Sequence, residues 1–363
     1  MIKLKNTPEQ LELVKQIGSK DPAVSRPASE AFAAAIGSVI AEVLNQMGTA
    51  SLIYEDQTFQ EDDSPSFPLD LYYNEDVGMV TVWSQSIAGG LPSSKVEGVA
   101  ELKISTYNLD SAVHFLKKYA RKSNLNVLNK AVDRMLQEVL VKQEKMAWSI
   151  ILKALAEAST SGTDHVIAST TADVFQLDDL NRMLTLGKRL NKSFANGTPV
   201  APYSRGITNL FVSPEIKEQI RGFAYNPMNT RAVPNTDEST AVPLPDGIRT
   251  EIYNNAGASE IFGISIMDLN ELGTTQKYNV LFDSFYSGST PTFSGTTDEI
   301  CVGVDLNKGA FIRAVATDAD TGATFSVQPD DQWVQRSDTA GFYGSLGEGR
   351  ICIDSRSVLG LVV

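Results

Sequence analysis

Residues 69–107 of this chain read LDLYYNEDVGMVTVWSQSIAGGLPSSKVEGVAELKISTY, and residues 109–159 read LDSAVHFLKKYARKSNLNVLNKAVDRMLQEVLVKQEKMAWSIILKALAEAS. The first stretch is rich in Val, Ile, Trp and Thr at 79–87 and 96–106, where partial alternation predicts two strands. The segment AGGLP at 88–92 predicts the turn between them, because Gly permits a positive φ and Pro is rigid. The first stretch is therefore predicted to be an extended hairpin with a Gly-rich tip.

The second stretch predicts a long helix in two parts. The first part, at about 110–122, places Val113 and Leu116 on one side of a helix. After an interruption at 124–126, apolar residues recur at helical spacing to about Ala158. About 32 residues at a rise of 1.5 Å make a rod of about 48 Å, too long to be buried inside one small domain. A hairpin joined to such a rod is unusual for a catalytic domain and is typical of a subunit that contacts its neighbours in a lattice.

Composition excludes several classes of protein. The chain has 363 residues, of which 42% are hydrophobic and 21% charged, as in soluble globular proteins. Its formal charge of −13 argues against general nucleic-acid binding, which needs clustered Lys and Arg. No segment approaches the run of about 18 apolar residues that predicts a membrane span, so no membrane partner is expected. The N-terminus lacks the features of a signal peptide, and we expect the chain to be cytoplasmic at synthesis.

The rest of the chain predicts a mixture of helices and strands, an α+β fold. Helices are predicted at 8–18, 26–47 and 176–190 and from Pro214, and strands at 207–213, 248–253, 260–266, 278–286, 299–305 and 310–316. The acidic, Pro-containing residues 51–68 predict an extended linker, and the glycines at 344–349 predict a turn between terminal strands. Ser25 and Gly48 are predicted to cap the second helix, and Ser213 the helix that begins at Pro214.

Charge is segregated along the chain. Between Pro27 and Ser94 there is no Lys or Arg, against ten acids, which are Glu30, Glu42, Glu55, Asp56, Glu61, Asp62, Asp63, Asp70, Glu75 and Asp76. From Lys95 to Ala158, eleven basic residues stand against seven acidic ones. This pattern predicts that the acidic stretch of one copy lies on the basic stretch of another. The alternative is two solvated faces that make no contact with each other.

A search for catalytic chemistry finds little material. His114 and His165 are the only histidines, and no phosphate-binding loop, nucleophile elbow or C-x-x-C pair is present. Cys301 and Cys352 lie in strand-like apolar contexts, which predicts two buried thiols, with a disulfide as the alternative. We therefore predict a protein that is not an enzyme and that has no cofactor and no metal site.

The order of these elements resembles that of the major capsid proteins of tailed bacteriophages, which have the Hong Kong 97-type fold. The resemblance covers nearly the whole chain: an N-terminal arm, an extended hairpin loop, a long helix ending in LAEASTSGTD, and a mixed domain. Within the mixed domain it is carried by TNLFVSPEIKEQI, EIFGISIMDLN and the terminal GFYGSLGEGRICIDSRSVLGLVV. Each motif is loose, and their order is the specific part.

The resemblance implies a domain organisation and a function. The implied parts are an N-terminal arm at 1–51, an extended loop at 52–107, the spine helix and peripheral domain at 108–174, an axial domain at 175–325, and return strands of the peripheral domain at 326–363. Members of the family form icosahedral shells of hexamers and pentamers around double-stranded DNA. The expected location is the capsid of a virion assembled in the host cytoplasm.

The resemblance also implies partners and contact residues. The subunit would bind copies of itself, together with portal, scaffolding and decoration proteins, and would contact packaged DNA only weakly and without sequence specificity. The candidate inter-subunit contacts lie in the acidic stretch, the hairpin and the start of the basic stretch, namely Glu61, Asp62, Asp63, Trp83, Gly89, Gly90, Pro92, Lys95, Lys117, Lys118, Arg121 and Lys122.

Two other functions are compatible with the same residues. The first keeps the fold and makes the chain the shell of an encapsulin-like compartment that encloses cargo enzymes. The second is a hydrolase or binding protein with a divergent site in the mixed domain, which the missing nucleophile–base pair disfavours.

Overall fold

The structure is a computed structural model. It describes residues 8–60, 63–68, 101–122, 125–158, 165–190, 206–223, 246–247, 250, 260–306, 309–318, 322–330 and 339–363. The hairpin predicted within 69–100 and the Pro-rich loop at 224–245 lie outside the described residues.

The described chain contains both helices and strands. The helices are α1 (Pro8–Ile17), α2 (Pro22–Gln46), α3 (Lys117–Arg121), α4 (Leu125–Ala158), α5 (Leu177–Leu190), α6 (Pro214–Gly222) and α7 (Lys277–Phe285). The strands are β1 (Glu55–Gln60), β2 (Ser66–Pro68), β3 (Glu101–Lys103), β4 (Thr106–Leu116), β5 (Val166–Ala168), β6 (Asn209–Val212), β7 (Glu260–Ile261), β8 (Ile264–Asp268), β9 (Ile300–Val304), β10 (Phe311–Thr317), β11 (Ser326–Asp330), β12 (Thr339–Cys352) and β13 (Val358–Val362). The chain is therefore an α+β protein, as its sequence predicted.

The chain divides into two compact units. Unit 1 consists of Met1–Phe67, Leu102–Ala147 and Phe311–Ile351, and unit 2 of Pro68–Glu101, Trp148–Ala310 and Cys352–Val363. The long helix α4 contributes to both units.

Unit 1 is built around the long strand β12. β4 pairs antiparallel with β12 from Thr106 opposite Gly349 to Leu116 opposite Thr339, while β11 and β10 also pair with β12. β1 extends the sheet by pairing parallel with β10. Apolar side chains from the sheet and from α1, α2 and α4 form one core, in which the Phe32 and Phe342 ring centroids lie 5.4 Å apart.

Helix α2 supplies much of the core of unit 1. Its Phe32, Ile36 and Ile40 side chains are buried there, at helical spacing. By length and composition alone, α2 is also apolar enough over Pro22–Leu44 to cross a membrane. The burial of these side chains accounts for its apolar composition within a folded unit.

Unit 2 contains a six-stranded mixed sheet. Its strand order is β5-β13-β9-β6-β8-β7, with β13 parallel to β5 and antiparallel to β9, and β6 antiparallel to β9 and parallel to β8. Leu180 and Met183 of α5 and Ile216 and Ile220 of α6 pack into the core that this sheet forms. The central strands are buried on both faces, and every residue of β9 and β13 is buried.

Several sequence predictions are confirmed. The helices predicted at 8–18, 26–47 and 176–190 and the strands predicted at 207–213, 299–305 and 310–316 are present within one to four residues of their predicted limits. Ser213 caps α6 by accepting a hydrogen bond from the Ile216 amide at 3.1 Å, with Pro214 in the first turn. The N-cap predicted for α2, Ser25, is wrong: the N-cap is Asp21, which accepts a hydrogen bond from the Ala23 amide at 3.0 Å.

The helix predicted at 110–122 is wrong over most of its length. Residues 106–116 form β4, and helical structure is confined to α3, the five residues Lys117–Arg121. Tyr107, Leu109, Val113 and Phe115 alternate with exposed residues, which is the period of a strand rather than of a helix. The partner strand β12 supplies hydrogen bonds along this whole segment.

Four other local predictions are corrected. The linker predicted at 51–68 contains β1, which is held by parallel pairing to β10. The strand predicted at 278–286 is helix α7, and the turn predicted at 344–349 is the middle of the continuous strand β12. In the strand predicted at 248–253, Thr250 is the one described residue and is helical.

Candidate subunit-contact surface

One face of α4 in unit 1 is exposed and predominantly basic. The exposed residues of this face recur at helical spacing and are Lys130, Arg134, Gln137, Glu138, Val141, Lys142 and Lys145. This set is called the α4 stripe below. Four of its members are cations and one is an acid, and none of the four cations has a carboxylate of a described residue within ion-pair distance.

The α4 stripe also carries an exposed apolar side chain. Val141 lies in the middle of the stripe and is 60% exposed. In a contact with another protein, burial of Val141 would contribute affinity and the surrounding cations would select a partner of opposite charge.

The opposite face of α4 is fixed to the rest of unit 1. Glu144 accepts hydrogen bonds from the Thr49 hydroxyl at 3.0 Å and from the Ala50 amide at 3.1 Å. The Tyr54 hydroxyl donates to the carbonyl of Ala147 at 2.9 Å. These contacts orient the helix, so the α4 stripe is presented to solvent on a rigid element.

A buried ionic network lies beneath this part of α4. The Glu348 carboxylate on β12 accepts hydrogen bonds from Gln143 of α4 at 3.1 Å and from Arg313 of β10 at 2.9 Å. It also accepts from the Tyr107 hydroxyl of β4 at 2.7 Å and from Arg350 at 3.3 Å. One carboxylate thus joins three strands of the sheet to α4.

The charges of the network shift the pKa values of its members. Burial alone would raise the pKa of the Glu348 carboxyl, but Arg350, Arg313 and the Tyr107 hydroxyl together lower it. Burial and the neighbouring carboxylate of Glu348 raise the pKa of Tyr107. Glu348 is therefore ionised and Tyr107 is neutral at pH 7, as the hydrogen bond between them requires.

The structure places five of the twelve sequence-predicted contact residues. Asp63, Lys118, Arg121 and Lys122 are exposed, whereas Lys117 is buried, with 4% of its surface accessible. The other seven, Glu61, Asp62, Trp83, Gly89, Gly90, Pro92 and Lys95, lie outside the described residues.

The residues of the α4 stripe were not among the sequence candidates. Lys130, Arg134, Lys142 and Lys145 recur at intervals of 4, 8 and 3 residues, which places them on one face of a helix. The spacing of these four cations therefore predicts the α4 stripe, provided that one continuous helix is assumed over this segment.

His165 and the two cysteines, whose side chains could in principle take part in catalysis, lie in surroundings typical of structural residues. Within the described residues, no group of three or more His, Cys, Asp or Glu is placed to hold a metal ion. His165 is buried, and its Nδ1 lies 3.0 Å from the carbonyl oxygen of Val358. Cys301 and Cys352 are free thiols. Burial raises the pKa of Cys301, and raises that of Cys352 to about 12, so neither provides a reactive thiolate at pH 7.

Comparison with known proteins supports the fold at low sequence identity. No family model and no curated protein matches the chain. Among solved structures, the capsid of the cyanophage P-SCSP1u matches with a TM-score of 0.51 and 13% identity, covering 85% of this chain and 86% of that one. A Microbacterium phage Oxtober96 structure matches with a TM-score of 0.47 and 12% identity, covering 87% and 90% of the two chains. The holo-SrpI encapsulin of Synechococcus elongatus matches with a TM-score of 0.45 and 9% identity, covering 87% and 88%.

The likeness to the cyanophage capsid extends over most of both chains. The fold is therefore that of a viral shell protein, and more narrowly the Hong Kong 97-type capsid fold that the order of elements predicted. At 13% identity the likeness establishes the fold, and function is a separate inference.

Proposed function

We propose that this chain is a major capsid protein that self-assembles into the hexamers and pentamers of an icosahedral shell enclosing double-stranded DNA. The observation that carries the proposal is the capsid fold, matched along 85% of the chain to a phage capsid structure. The protein acts by occupying a lattice position, and it needs no cofactor for that role. Its place is the virion capsid, assembled in the host cytoplasm with separate portal, scaffolding and decoration proteins.

The domain organisation is part of this proposal. Residues 1–51 form the arm, 52–107 the extended loop, 108–174 the spine and peripheral domain, 175–325 the axial domain and 326–363 the return strands. The division into two compact units supports this scheme in outline, since the spine helix α4 contributes to both.

Subunit contact in this proposal pairs the acidic stretch of one copy with the α4 stripe of another. The acids Glu61, Asp62 and Asp63 lie in the first part of the proposed loop, and the α4 stripe offers four cations around Val141. Complementary charge and an apolar centre support the pairing. A single exposed ion pair contributes only about 0–1 kcal/mol, so specificity must come from many equivalent contacts across a closed lattice.

The test is whether the purified chain forms closed particles. The protein is expressed alone and together with its neighbouring genes, then examined by sedimentation velocity and negative-stain microscopy over a range of salt and crowding conditions. We expect shells built from pentamers and hexamers. A chain that stays monomeric under every condition contradicts the proposal.

The content of the particles separates two kinds of shell. Particles from the native source are treated with nuclease, and their protected contents are extracted. Protected double-stranded DNA supports the capsid. Shells that instead enclose a protein cargo, with no protected DNA, identify an encapsulin-like compartment with the same fold.

A further inference from the structure

The hairpin formed by β7 and β8 in unit 2 carries an aromatic side chain at its tip. The register pairs Ile261 with Ile264, so Phe262 and Gly263 form a two-residue turn. Both turn residues have a positive φ, 53° at Phe262 and 79° at Gly263, as a type I′ turn requires. Asn-Gly is the preferred sequence for such a turn, and a bulky side chain at positive φ is a steric outlier. The residue at the tip is therefore in conflict with its backbone conformation.

Burial within the subunit does not account for this aromatic residue. Phe262 is 50% exposed, whereas the flanking Ile261 and Ile264 are buried in the core of unit 2. A conformational cost that burial does not offset points to a function for the side chain outside its own subunit. Phe is among the residues enriched at the buried centre of protein–protein interfaces. The geometry therefore indicates that Phe262 contacts another protein chain.

Helix α7, also in unit 2, presents an exposed apolar side chain beside a base. Val280 is 49% exposed, Leu281 is partly buried and Lys277 is exposed. Val280 and Leu281 lie three and four residues after Lys277, which places all three on one side of the helix. These three residues are called the α7 patch below. Phe262, together with the exposed Glu260 two residues before it, is called the hairpin tip.

The hairpin tip and the α7 patch carry opposite charges. Neither Glu260 nor Lys277 forms an ion pair with a described residue. The Lys277 ammonium lies 5.6 Å from the centroid of the adjacent Tyr278 ring, a contact that does not cancel its charge. An exposed pair of this kind contributes little affinity, but it selects the partner and orients the contact.

We propose that the hairpin tip of one copy docks on the α7 patch of a neighbouring copy. Phe262 packs against Val280 and Leu281, and Glu260 pairs with Lys277. This inference rests on the proposed function, which requires pentamers and hexamers. A two-fold contact joins a surface to the same surface of its partner, whereas a ring needs two different, complementary surfaces on every subunit. The hairpin tip and the α7 patch are such a pair, since both the apolar side chains and the charges match.

Phe262→Asn separates a contact role from a role in folding. Asn suits the turn better than Phe, so the melting temperature of the unassembled subunit should rise by about 2–4 °C. The yield of particles, measured by sedimentation velocity, should nevertheless fall at least several-fold. Normal particle yield from this variant would overturn the proposal, and so would a loss of yield accompanied by a lower melting temperature, which would mark Phe262 as a structural residue.

The α7 patch is tested in the same assay. Val280→Gln removes the exposed apolar side chain without lowering helix propensity, so particle yield should fall while the melting temperature is maintained. Val174→Gln is the matched control, because Val174 is another exposed valine of unit 2 and lies outside both surfaces. The control should assemble as the parent does, and an equal loss in both variants would contradict a specific role for Val280.

Disulfide crosslinking tests the pairing of the two surfaces directly. Chains carrying Phe262→Cys and chains carrying Val280→Cys are mixed at high concentration and oxidised, and the mixture should give a covalent dimer on a non-reducing gel. Either variant alone should not, beyond the background that Cys301 and Cys352 give in the oxidised parent. Val174→Cys mixed with Phe262→Cys controls for random collision. A dimer from Phe262→Cys alone would identify a two-fold contact and refute the proposal.

Crosslinking and particle formation are scored separately. Particles from the parent, with no crosslink in the mixture, refute this contact and leave the proposed function standing. A crosslink without particles under any condition refutes the proposed function and supports the contact. The absence of both results refutes both proposals.

Discussion

Glu348 accepts a hydrogen bond from Arg313 at 2.9 Å in a position where the Glu348 side chain is fully buried and that of Arg313 is 4% exposed. The Glu348 carboxylate also binds Tyr107 and Gln143, so it connects β12, β10, β4 and α4. Removing one partner of a buried ion pair leaves the other charge uncompensated, which costs about 3–5 kcal/mol. The attachment of the spine helix α4 to the sheet of unit 1 therefore depends on Glu348.

Replacing Glu348 by Gln should lower the free energy of unfolding of unit 1 by about 3 kcal/mol or more, because two buried arginines then share one uncharged acceptor. Urea denaturation followed by circular dichroism measures the effect. Asp56→Asn is the control, since Asp56 contacts the same Arg313 from a side chain that is 40% exposed. Equal stability of the Glu348→Gln variant and the parent would refute the assigned role.

The same residue predicts a pH dependence. The pKa of Glu348 is lowered in the folded state, so its stabilising contribution is complete above the unfolded value of about 4.3 and is lost as pH falls through the folded value. The stability difference between the parent and Glu348→Gln should therefore be constant from pH 6 to pH 8 and shrink below about pH 4. Urea titrations at each pH provide the measurement. A difference that grows on acidification contradicts this assignment.

Glu299 of unit 2 predicts a pH dependence of stability with the opposite sign. Burial raises the pKa of its carboxyl, as do Glu215 and Asp173, although the hydrogen bond from Ser213 acts against them. A raised folded pKa means that folding favours the protonated form, so stability falls as pH rises through that value. Glu299→Gln should raise the melting temperature at pH 7 and have little effect near pH 3. Destabilisation at pH 7 would show that the Ser213 bond requires the charge.

The sequence predicted the class of fold, although several local elements were wrong. The residues Tyr107, Leu109, Val113 and Phe115 recur at period two, but the high helix propensity of the following KKYARK masked that alternation. The reverse error occurred at 278–286, where Tyr, Val and Phe suggested a strand. There, Tyr278, Asn279 and Phe282 are buried at helical spacing, one turn apart.

Other misses depended on partners that are distant in sequence. β1 is polar apart from Phe59, so its sequence shows no apolar alternation, and only parallel pairing with β10 identifies it as a strand. Gly344 suggested a turn, but the reason for glycine there is the Phe325 ring, whose Cζ would lie 2.5 Å from an added Cβ. Neither contact can be inferred from local composition. The α4 stripe, by contrast, required only the spacing of residues on one helix.

Two glycines in unit 1 give a matched test of the packing explanation for Gly344. At Gly344, a Cβ would clash with the Phe325 ring, so Gly344→Ala should lower the melting temperature by several degrees. At Gly37, inside α2, the nearest atoms to a Cβ lie at 3.6 Å, an ordinary contact. Gly37→Ala should therefore stabilise the protein by about 0.5–1 kcal/mol through helix propensity. Calorimetry of both variants measures the shifts in melting temperature, and shifts of the same sign would contradict the packing explanation.

Charge exchange tests the proposed subunit contact independently of folding. The E61K/D62K/D63K variant should impair capsomer and shell formation more than it lowers the melting temperature, since Asp63 is exposed. K142E/K145E, on the α4 stripe, should do the same from the other side of the contact. K188E/R189E in unit 2 changes charge equally and should assemble as the parent does.

Combining the two assembly-deficient variants distinguishes pairing from a general effect of charge. If the acidic stretch of one copy lies on the α4 stripe of another, reversing both signs recreates an attractive contact, and particle yield should recover by at least several-fold over either variant alone. A non-specific effect predicts that the five substitutions together assemble no better than the worse parent variant. Because each exposed pair contributes only about 0–1 kcal/mol, recovery should be detectable in complete shells, where the contact is repeated, and small in isolated subunit pairs. Sedimentation velocity of the parent, the two variants and their combination in low salt measures the yield of complete shells and the association of isolated subunit pairs. Normal assembly of E61K/D62K/D63K alone would refute the contact.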